Sequence, residues 1–208
     1  MSAGTTGRLL SGAILAGGRA SRLGGVAKGL ELVGSERIVD RVAAALRACT
    51  ADIVIVGAAG GAAATLPGVH PVADDTPGSG PLGGIVSALR ATQRDTLVVA
   101  WDMPFVTEAT LQPLLDAPAD ADLSVPVWGD RLEPLCALYR LSALPMLAAS
   151  FAAGERSARA ALRQLRVHRV EYAMDGMSPP SFASINTPEQ LAAARGGERV
   201  FTSRRNHQ

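Results

Sequence analysis

A short apolar run, Ala13-Ile14-Leu15, opens directly into Ala16-Gly17-Gly18-Arg19-Ala20-Ser21-Arg22-Leu23-Gly24-Gly25-Val26-Ala27-Lys28. The run predicts a buried first strand. The segment after it holds four glycines and three cations. Glycine lets a backbone approach a ligand closely and turn its N–H groups toward it. The cations add the charge that a polyphosphate needs. A buried strand ending in such a loop constrains the fold strongly, because open α/β sheets place their ligands at the carboxyl ends of strands.

The loop is neither of the two common phosphate signatures. A Walker A loop needs Gly-Lys followed by Ser or Thr, whereas Lys28 stands between Ala27 and Gly29. A dinucleotide fingerprint can be matched only later, at Gly78-Ser79-Gly80-Pro81-Leu82-Gly83, with Asp102 as the ribose-binding acid. That match follows the polar Asp74-Asp75-Thr76-Pro77 and does not close off a strong first strand, so we set it aside.

The remaining chain alternates strand and helix patterns. Ser35 is expected to cap a helix with apolar positions Ile38, Val42, Ala45 and Leu46. The β-branched run Ile53-Val54-Ile55-Val56 predicts a parallel strand covered on both faces. Val69 to Val72 reads as a short strand, and Pro81 opens a helix through Ile85 and Leu89. Thr96 to Ala100 is a second buried strand ending at Asp102, and Thr107 caps a helix to Leu115. Leu123 to Val127 and Leu135 to Tyr139 read as strands joined around Gly129-Asp130, in antiparallel fashion. Leu141 to Ala153 and Ser157 to Leu165 are expected helices, and Val167 to Tyr172 a late strand. Thr187-Pro188-Glu189-Gln190 is a capping box with proline at the first helical position. The expected fold is α/β, a doubly wound and mostly parallel sheet of Rossmann-like type with one antiparallel element. One domain spans 9–195, between a flexible start (1–8) and a disordered basic tail (196–208).

Composition excludes several classes. A net charge of +1 gives no electrostatic footprint for nucleic acid and no basic face for a membrane. No apolar run reaches transmembrane length. Cys49 and Cys136 lie apart in apolar surroundings and read as core thiols, which suits a reducing cytoplasm. The three histidines fall in no motif, and no G-x-S-x-G elbow appears, which disfavours a Ser-His-Asp hydrolase.

The loop matches the L-A-G-G-x-x-S-R-[LM]-G…K pattern of sugar-nucleotide-type nucleotidyltransferases. Within that group the chain resembles the molybdenum cofactor guanylyltransferases. Three further segments resemble the family in order: Asp74-Asp75-Thr76 with Gly80-Pro81-Leu82-Gly83-Gly84, Val98-Val99-Ala100-Trp101-Asp102-Met103-Pro104-Phe105, and Ser184-Ile185-Asn186-Thr187-Pro188-Glu189. The resemblance implies a nucleotidyltransferase that moves GMP from GTP to the phosphate of molybdenum-bound molybdopterin. It also implies transient contact with molybdoenzyme chaperones or cofactor-insertion proteins. The chain departs from the family pattern at Ala27, Gly57, Trp101 and Ser184, and these departures bear on the acceptor.

Nucleotidyl transfer onto a phosphate needs no general base, because a phosphate monoester is largely ionised at neutral pH. It needs cations, backbone N–H groups and a metal. Lys28 is the first candidate to hold the β- and γ-phosphates, with Arg22 beside it; the rival reading is solvated loop charges. Asp102, past a buried strand and facing a phosphate site, implies Mg²⁺; its rival role is a turn cap. By resemblance Asp75 is a second carboxylate, against an Asx-turn role, and its neighbour Asp74 leaves the register open. Leu15, Ala16, Gly17 and Gly18 with Pro81, Leu82 and Gly83 form the nucleotide pocket by resemblance, and Gly17 favours GTP over CTP. Gly83 and Gly84 serve helix packing equally well. Asn186 contacts the acceptor by resemblance, against a purely local role in the turn. The competing functions are transfer from CTP or to another acceptor, a dinucleotide-dependent oxidoreductase, and a non-catalytic nucleotide-binding module.

Overall fold

The computed structural model describes residues 10–16, 22–23, 26–57, 66–74, 78, 80–172 and 181–196, with Arg22, Leu23 and Val26 described by their backbone alone. The expected flexible start, Gly17, Gly18, Asp75 and all but the first residue of the expected tail lie outside those residues. In chain order the elements are β1 (Ser11–Leu15), β2 (Arg22–Leu23), β3 (Val26–Ala27), β4 (Leu32–Val33), β5 (Glu36–Arg37) and α1 (Ile38–Cys49). Next come β6 (Asp52–Val56), β7 (Val69–Val72), α2 (Pro81–Thr92), β8 (Thr96–Ala100) and α3 (Glu108–Leu115). The chain continues through β9 (Leu123–Trp128), β10 (Arg131–Leu132), β11 (Cys136–Tyr139), α4 (Leu144–Ala152), α5 (Ala158–Ala161), β12 (Val167–Tyr172) and α6 (Pro188–Gly196).

The main sheet runs β7-β6-β1-β8-β11-β9-β12, with the two-residue β10 also on β9. Neighbours β1, β6, β7 and β8 are parallel. β11 runs antiparallel to both β8 and β9, which returns β9 and β12 to the common direction. The expected antiparallel element is therefore β11, together with short β10.

Alternation along the central strands serves two cores. Ile14, Ile53, Ile55, Leu97 and Val99 face α1, α3 and α6, where Ile38, Val42, Leu46, Leu111, Leu114 and Leu191 are buried. Ala13, Leu15, Val54, Val56 and Val98 face α2, α4 and α5, through Leu82, Ile85, Leu89, Leu147 and Leu162. A strand apolar on both faces needs such a two-sided cover, which is why these runs read as continuous β-branched stretches. Gly12 suits the close packing of β1, because a Cβ there would lie 3.0 Å from Thr50 Oγ1 and 3.2 Å from Ile53 Cγ1 and those side chains would have to shift by a few tenths of an ångström.

One expected cap is corrected. Ser35 does not start α1: Gly34, at φ +66°, and Ser35 form the two-residue turn joining β4 to β5. A positive φ at the first turn position is the geometry of tight hairpins, which glycine supplies without strain. The helix begins three residues later, at Ile38, whose N–H donates to Glu31 O. The other expected starts hold. Pro81 opens α2, Ser157 accepts from Ala160 N at α5, and Thr187 accepts from Gln190 N at α6. Among the described residues no helix is long and apolar enough to cross a membrane.

Thr107 caps α3 reciprocally with Thr110: its hydroxyl accepts from Thr110 N, while its own N–H donates to Thr110 Oγ1. Thr107→Ala should lower unfolding stability by about 1 kcal/mol. Urea denaturation checks this as a lower midpoint with an unchanged slope.

Candidate active site

The chain leaves β1 for β6 on one side, then crosses back to place β8 on the other. A crevice forms at the carboxyl ends of strands where the order reverses in this way, and ligands bind there. The two carboxyl ends are tied together, with Trp101 N–H donating to Leu15 O at 3.1 Å. Ala16 N–H is occupied by Val56 O at 2.9 Å. The loop that follows β1 and the residue that follows β8 therefore meet at the switch point.

Lys28 opens a 3₁₀ turn there and is only 3 % exposed. Lysine is rarely buried without partners. Its Nζ donates to Asn186 Oδ1 at 2.6 Å and lies 3.8 Å from Asp102 Oδ2. Three segments far apart in sequence thus converge on one ammonium. Asn186 is neither a simple turn residue nor isolated from the site: its N–H is held by Gln190 Oε1 while its side chain orients Lys28.

The segment carrying Asn186 is fixed to the end of β8. Ile185, fully buried, donates its N–H to Asp102 O at 2.8 Å. The Ser184 hydroxyl donates to the Asp102 carboxylate. Phe182 anchors the approach, edge-on to Trp128 and Tyr172 with ring centroids 6.3 and 5.4 Å away. Asp102 itself keeps 16 % of its side-chain surface exposed. Burial holds its carboxyl above the usual range, while Lys28 and the Ser184 hydrogen bond act in the opposite direction.

Trp101 lies across the backbone of Gly29. A Cβ at Gly29 would sit 2.4 Å from Trp101 Cε3, closer than any real contact. The bulky residue before the aspartate is accommodated by the glycine after the lysine.

Of the other sequence candidates, Leu15 and Leu82 bury their side chains in the second core. Leu82 N–H already donates to Arg156 O at 3.3 Å, so the first turn of α2 is partly occupied by the protein itself. Pro81 is exposed at the start of α2, and Gly83 is buried inside it. Gly84 faces Leu15 Cδ2 at 3.4 Å from an added Cβ, an ordinary packing distance. Gly17, Gly18, Asp75 and the Arg22 side chain lie outside the described residues. Cys136 is a fully buried free thiol and Cys49 a half-buried one, both pushed up by burial.

Sequence reasoning missed Glu133. The bend between β10 and β11 brings it toward Asp102, and burial holds its carboxyl above the usual range. The available signal was a charged residue inside Leu132-Glu133-Pro134-Leu135, directly before a wholly buried strand.

A family model for the MobA-like NTP transferase domain matches residues 12–170. The chain belongs to this family. A probable molybdenum cofactor guanylyltransferase from Chloroflexus aggregans is 37 % identical over 194 residues, covering 88 % of this chain and 92 % of that protein. A molybdenum cofactor guanylyltransferase from Pasteurella multocida is 32 % identical over 180 residues, covering 85 % and 94 %. Among solved structures, molybdopterin-guanine dinucleotide biosynthesis protein A from Archaeoglobus fulgidus superposes with a TM-score of 0.73 at 28 % identity, covering 89 % of this chain and 97 % of that one. The MobA-like family is thus matched in sequence and in architecture over most of the chain.

The packing at Gly29 gives one expectation. Gly29→Ala should destabilise the protein by about 1–3 kcal/mol, as overpacking does. In a Trp101→Ala background the same change should cost little, because the clashing ring is gone. Thermal denaturation of the four proteins reads this coupling.

Asp102 gives a second. An acid whose folded pKa lies above its unfolded value stabilises the fold at low pH, and loses that contribution as pH rises through the folded value. At neutral pH its ionised form is therefore unfavourable in the ligand-free protein. The melting temperature of Asp102→Asn relative to the parent should therefore shift in the variant's favour from pH 4 to pH 7, measured without nucleotide or metal.

Proposed function

We propose that this protein transfers GMP from GTP to the terminal phosphate of molybdenum-bound molybdopterin. The reading is supported by membership of the MobA-like NTP transferase family and by the relatives' names. The convergence of Lys28, Asp102 and Asn186 at the switch point is the observation that carries it. An acceptor phosphate oxygen attacks the α-phosphorus of GTP. A new P–O–P linkage forms, the α–β linkage breaks, and pyrophosphate leaves with the displaced electron pair.

The protein must hold two anions together and receive the charge of the departing one. Lys28 is suited to this. Its ammonium carries three N–H donors, and Asn186 and Asp102 hold it in one position in a buried place. Arg22 and the backbone of Gly17 and Gly18 would complete the triphosphate cradle, and Gly17 leaves room for the larger purine.

Asp102 suits a hard divalent cation, Mg²⁺ by preference. It offers a carboxylate whose burial leaves the negative charge under-compensated by Lys28 alone. Magnesium takes one or two carboxylates and fills its other positions with phosphate oxygens and water. Asp102, with Asp75 as the second carboxylate, would hold it. When bound, the ion supplies positive charge to the triphosphate and to the departing pyrophosphate. Leu15, Ala16, Pro81, Leu82 and Gly83 would border the base. Leu82 contributes by shaping the wall, since its side chain and N–H are engaged elsewhere.

Lys28→Ala should weaken GTP binding roughly ten- to a hundredfold, the usual cost of one charge-assisted contact, with the fold retained. Calorimetric titration beside circular dichroism measures this. The reaction itself is read as pyrophosphate release from GTP, dependent on molybdopterin and abolished by a chelator. Affinity equal to the parent's in the variant, or release in excess chelator, would overturn the assignment of Lys28 or of the metal respectively.

A further inference from the structure

Helix α6 reaches the turn that carries Lys28 from both of its ends. Near its C-terminus, Arg195 donates through Nε to Leu32 O and through Nη2 to Glu31 Oε2, each at 2.9 Å. Glu31 in turn closes the Lys28 turn, its N–H donating to Lys28 O at 3.1 Å. At the other end Asn186, directly before the cap residue Thr187, accepts from Lys28 Nζ. Buried Leu191, Ala193 and Ala194 seat the helix between these contacts.

The capping box of α6 is extended by one bond. In the ordinary arrangement the third helical residue returns its side chain to the N–H of the cap residue. Gln190 does this, accepting from Thr187 N at 3.1 Å, but its Oε1 accepts a shorter bond, 2.6 Å, from Asn186 N. Asn186 is exposed, so surrounding packing does little to fix its side chain. Among the described residues its Nδ2 has one contact, to Ser184 O at 3.5 Å, the outer limit of a hydrogen bond. The backbone is therefore what aims Oδ1 at Lys28. It is held by Ile185 N–H on Asp102 O and by Asn186 N–H on Gln190 Oε1.

We infer that Gln190 is a positioning residue for Lys28, acting through Asn186. The role rests on the proposed reaction, in which Lys28 receives the triphosphate. An amide oxygen takes the ammonium's hydrogen bond without adding charge. With Asn186 turned away, the contact left to the ammonium among the described residues is Asp102 Oδ2, now 3.8 Å distant. Closing that gap would pair the two charges with each other and leave less of either for a triphosphate and its cation. Gln190 thus keeps ammonium and carboxylate apart and available. Arg195 anchors α6 separately, so loss of Gln190 acts on Asn186 and does not release the helix.

The test is calorimetric binding of GTP with Mg²⁺ by the full chain. Gln190→Ala should weaken GTP about three- to tenfold, the range of one hydrogen bond. In an Asn186→Ala background the same change should add less than about twofold. Gln190→Glu keeps an oxygen for both N–H groups and should bind GTP within about twofold of the parent. Thr187→Ala removes the reciprocal bond from Gln190 N and spares the one to Asn186, so it too should stay within about twofold. Equal losses in Thr187→Ala and Gln190→Ala would reduce the role to helix capping and overturn the inference. Parent-like GTP binding by Gln190→Ala, or independent losses in the double variant, would do the same. A second cycle needs no ligand. Gln190→Ala should lower the melting temperature by at least about 1 °C more in the parent than in a Lys28→Met background, where no ammonium loses its partner. A parent that binds no GTP would sink the proposed reaction. The ligand-free cycle would then decide the positioning role alone, equal losses in the two backgrounds overturning it.

Discussion

Burying an ammonium in a protein interior is costly unless the surrounding groups answer its charge and its donors. In this protein the answer to Lys28 comes from the end of β8 and from the segment before α6, through Asp102 and Asn186. The contact is therefore more than a local pairing: it requires β1 and β8 to lie side by side and the C-terminal segment to cross their ends. Ile185, Ser184 and Phe182 are the means by which that crossing is fixed. The segment leading into the last helix is a structural contributor to the Lys28 end of the sheet, although it is remote from that end in sequence.

The sheet makes that geometry available. Six strands share one direction, so their carboxyl ends deliver loops to a single edge. The antiparallel β11 interrupts the pattern between β8 and β9 and turns its preceding bend, with Glu133, toward the same edge. A purely parallel sheet would bring only strand-to-helix loops there. The interruption adds a hairpin bend to the neighbourhood of Asp102, and with it the carboxyl group of Glu133.

Much of this was legible in the chain because two-sided burial writes continuous apolar runs and caps write polar ones. Ile53 to Val56, Thr96 to Ala100, Thr107 and Thr187-Pro188 each announce an element by that chemistry. Ser35 misled because a hairpin turn and a helix cap both favour a small polar residue, and only Gly34 at positive φ separates them. The convergence at Lys28 was half legible: each residue stood in a motif, but the hydrogen bond from Lys28 to Asn186 is a tertiary fact. Glu133 was not legible, since one acid beside a proline in a loop carries no signal until the fold shows what it stands near.

Two of the four departures from the family pattern, Trp101 and Ser184, are explained by tertiary partners rather than by sequence neighbours. Trp101 is tolerated because Gly29 offers a surface without a Cβ, so the large ring covers the start of the Lys28 turn instead of entering the site. Ser184 donates its hydroxyl to Asp102, so a small side chain still reaches the carboxylate. Both changes leave the charges at Lys28 and Asp102 in place and alter the volume around them. Differences of that kind alter the shape of the site more than its charge. The tension stays at Asp102, whose burial disfavours the charged form that a cation and a triphosphate would need. A group kept in an unfavourable state by its surroundings stabilises an incoming positive charge more strongly than a solvated one can.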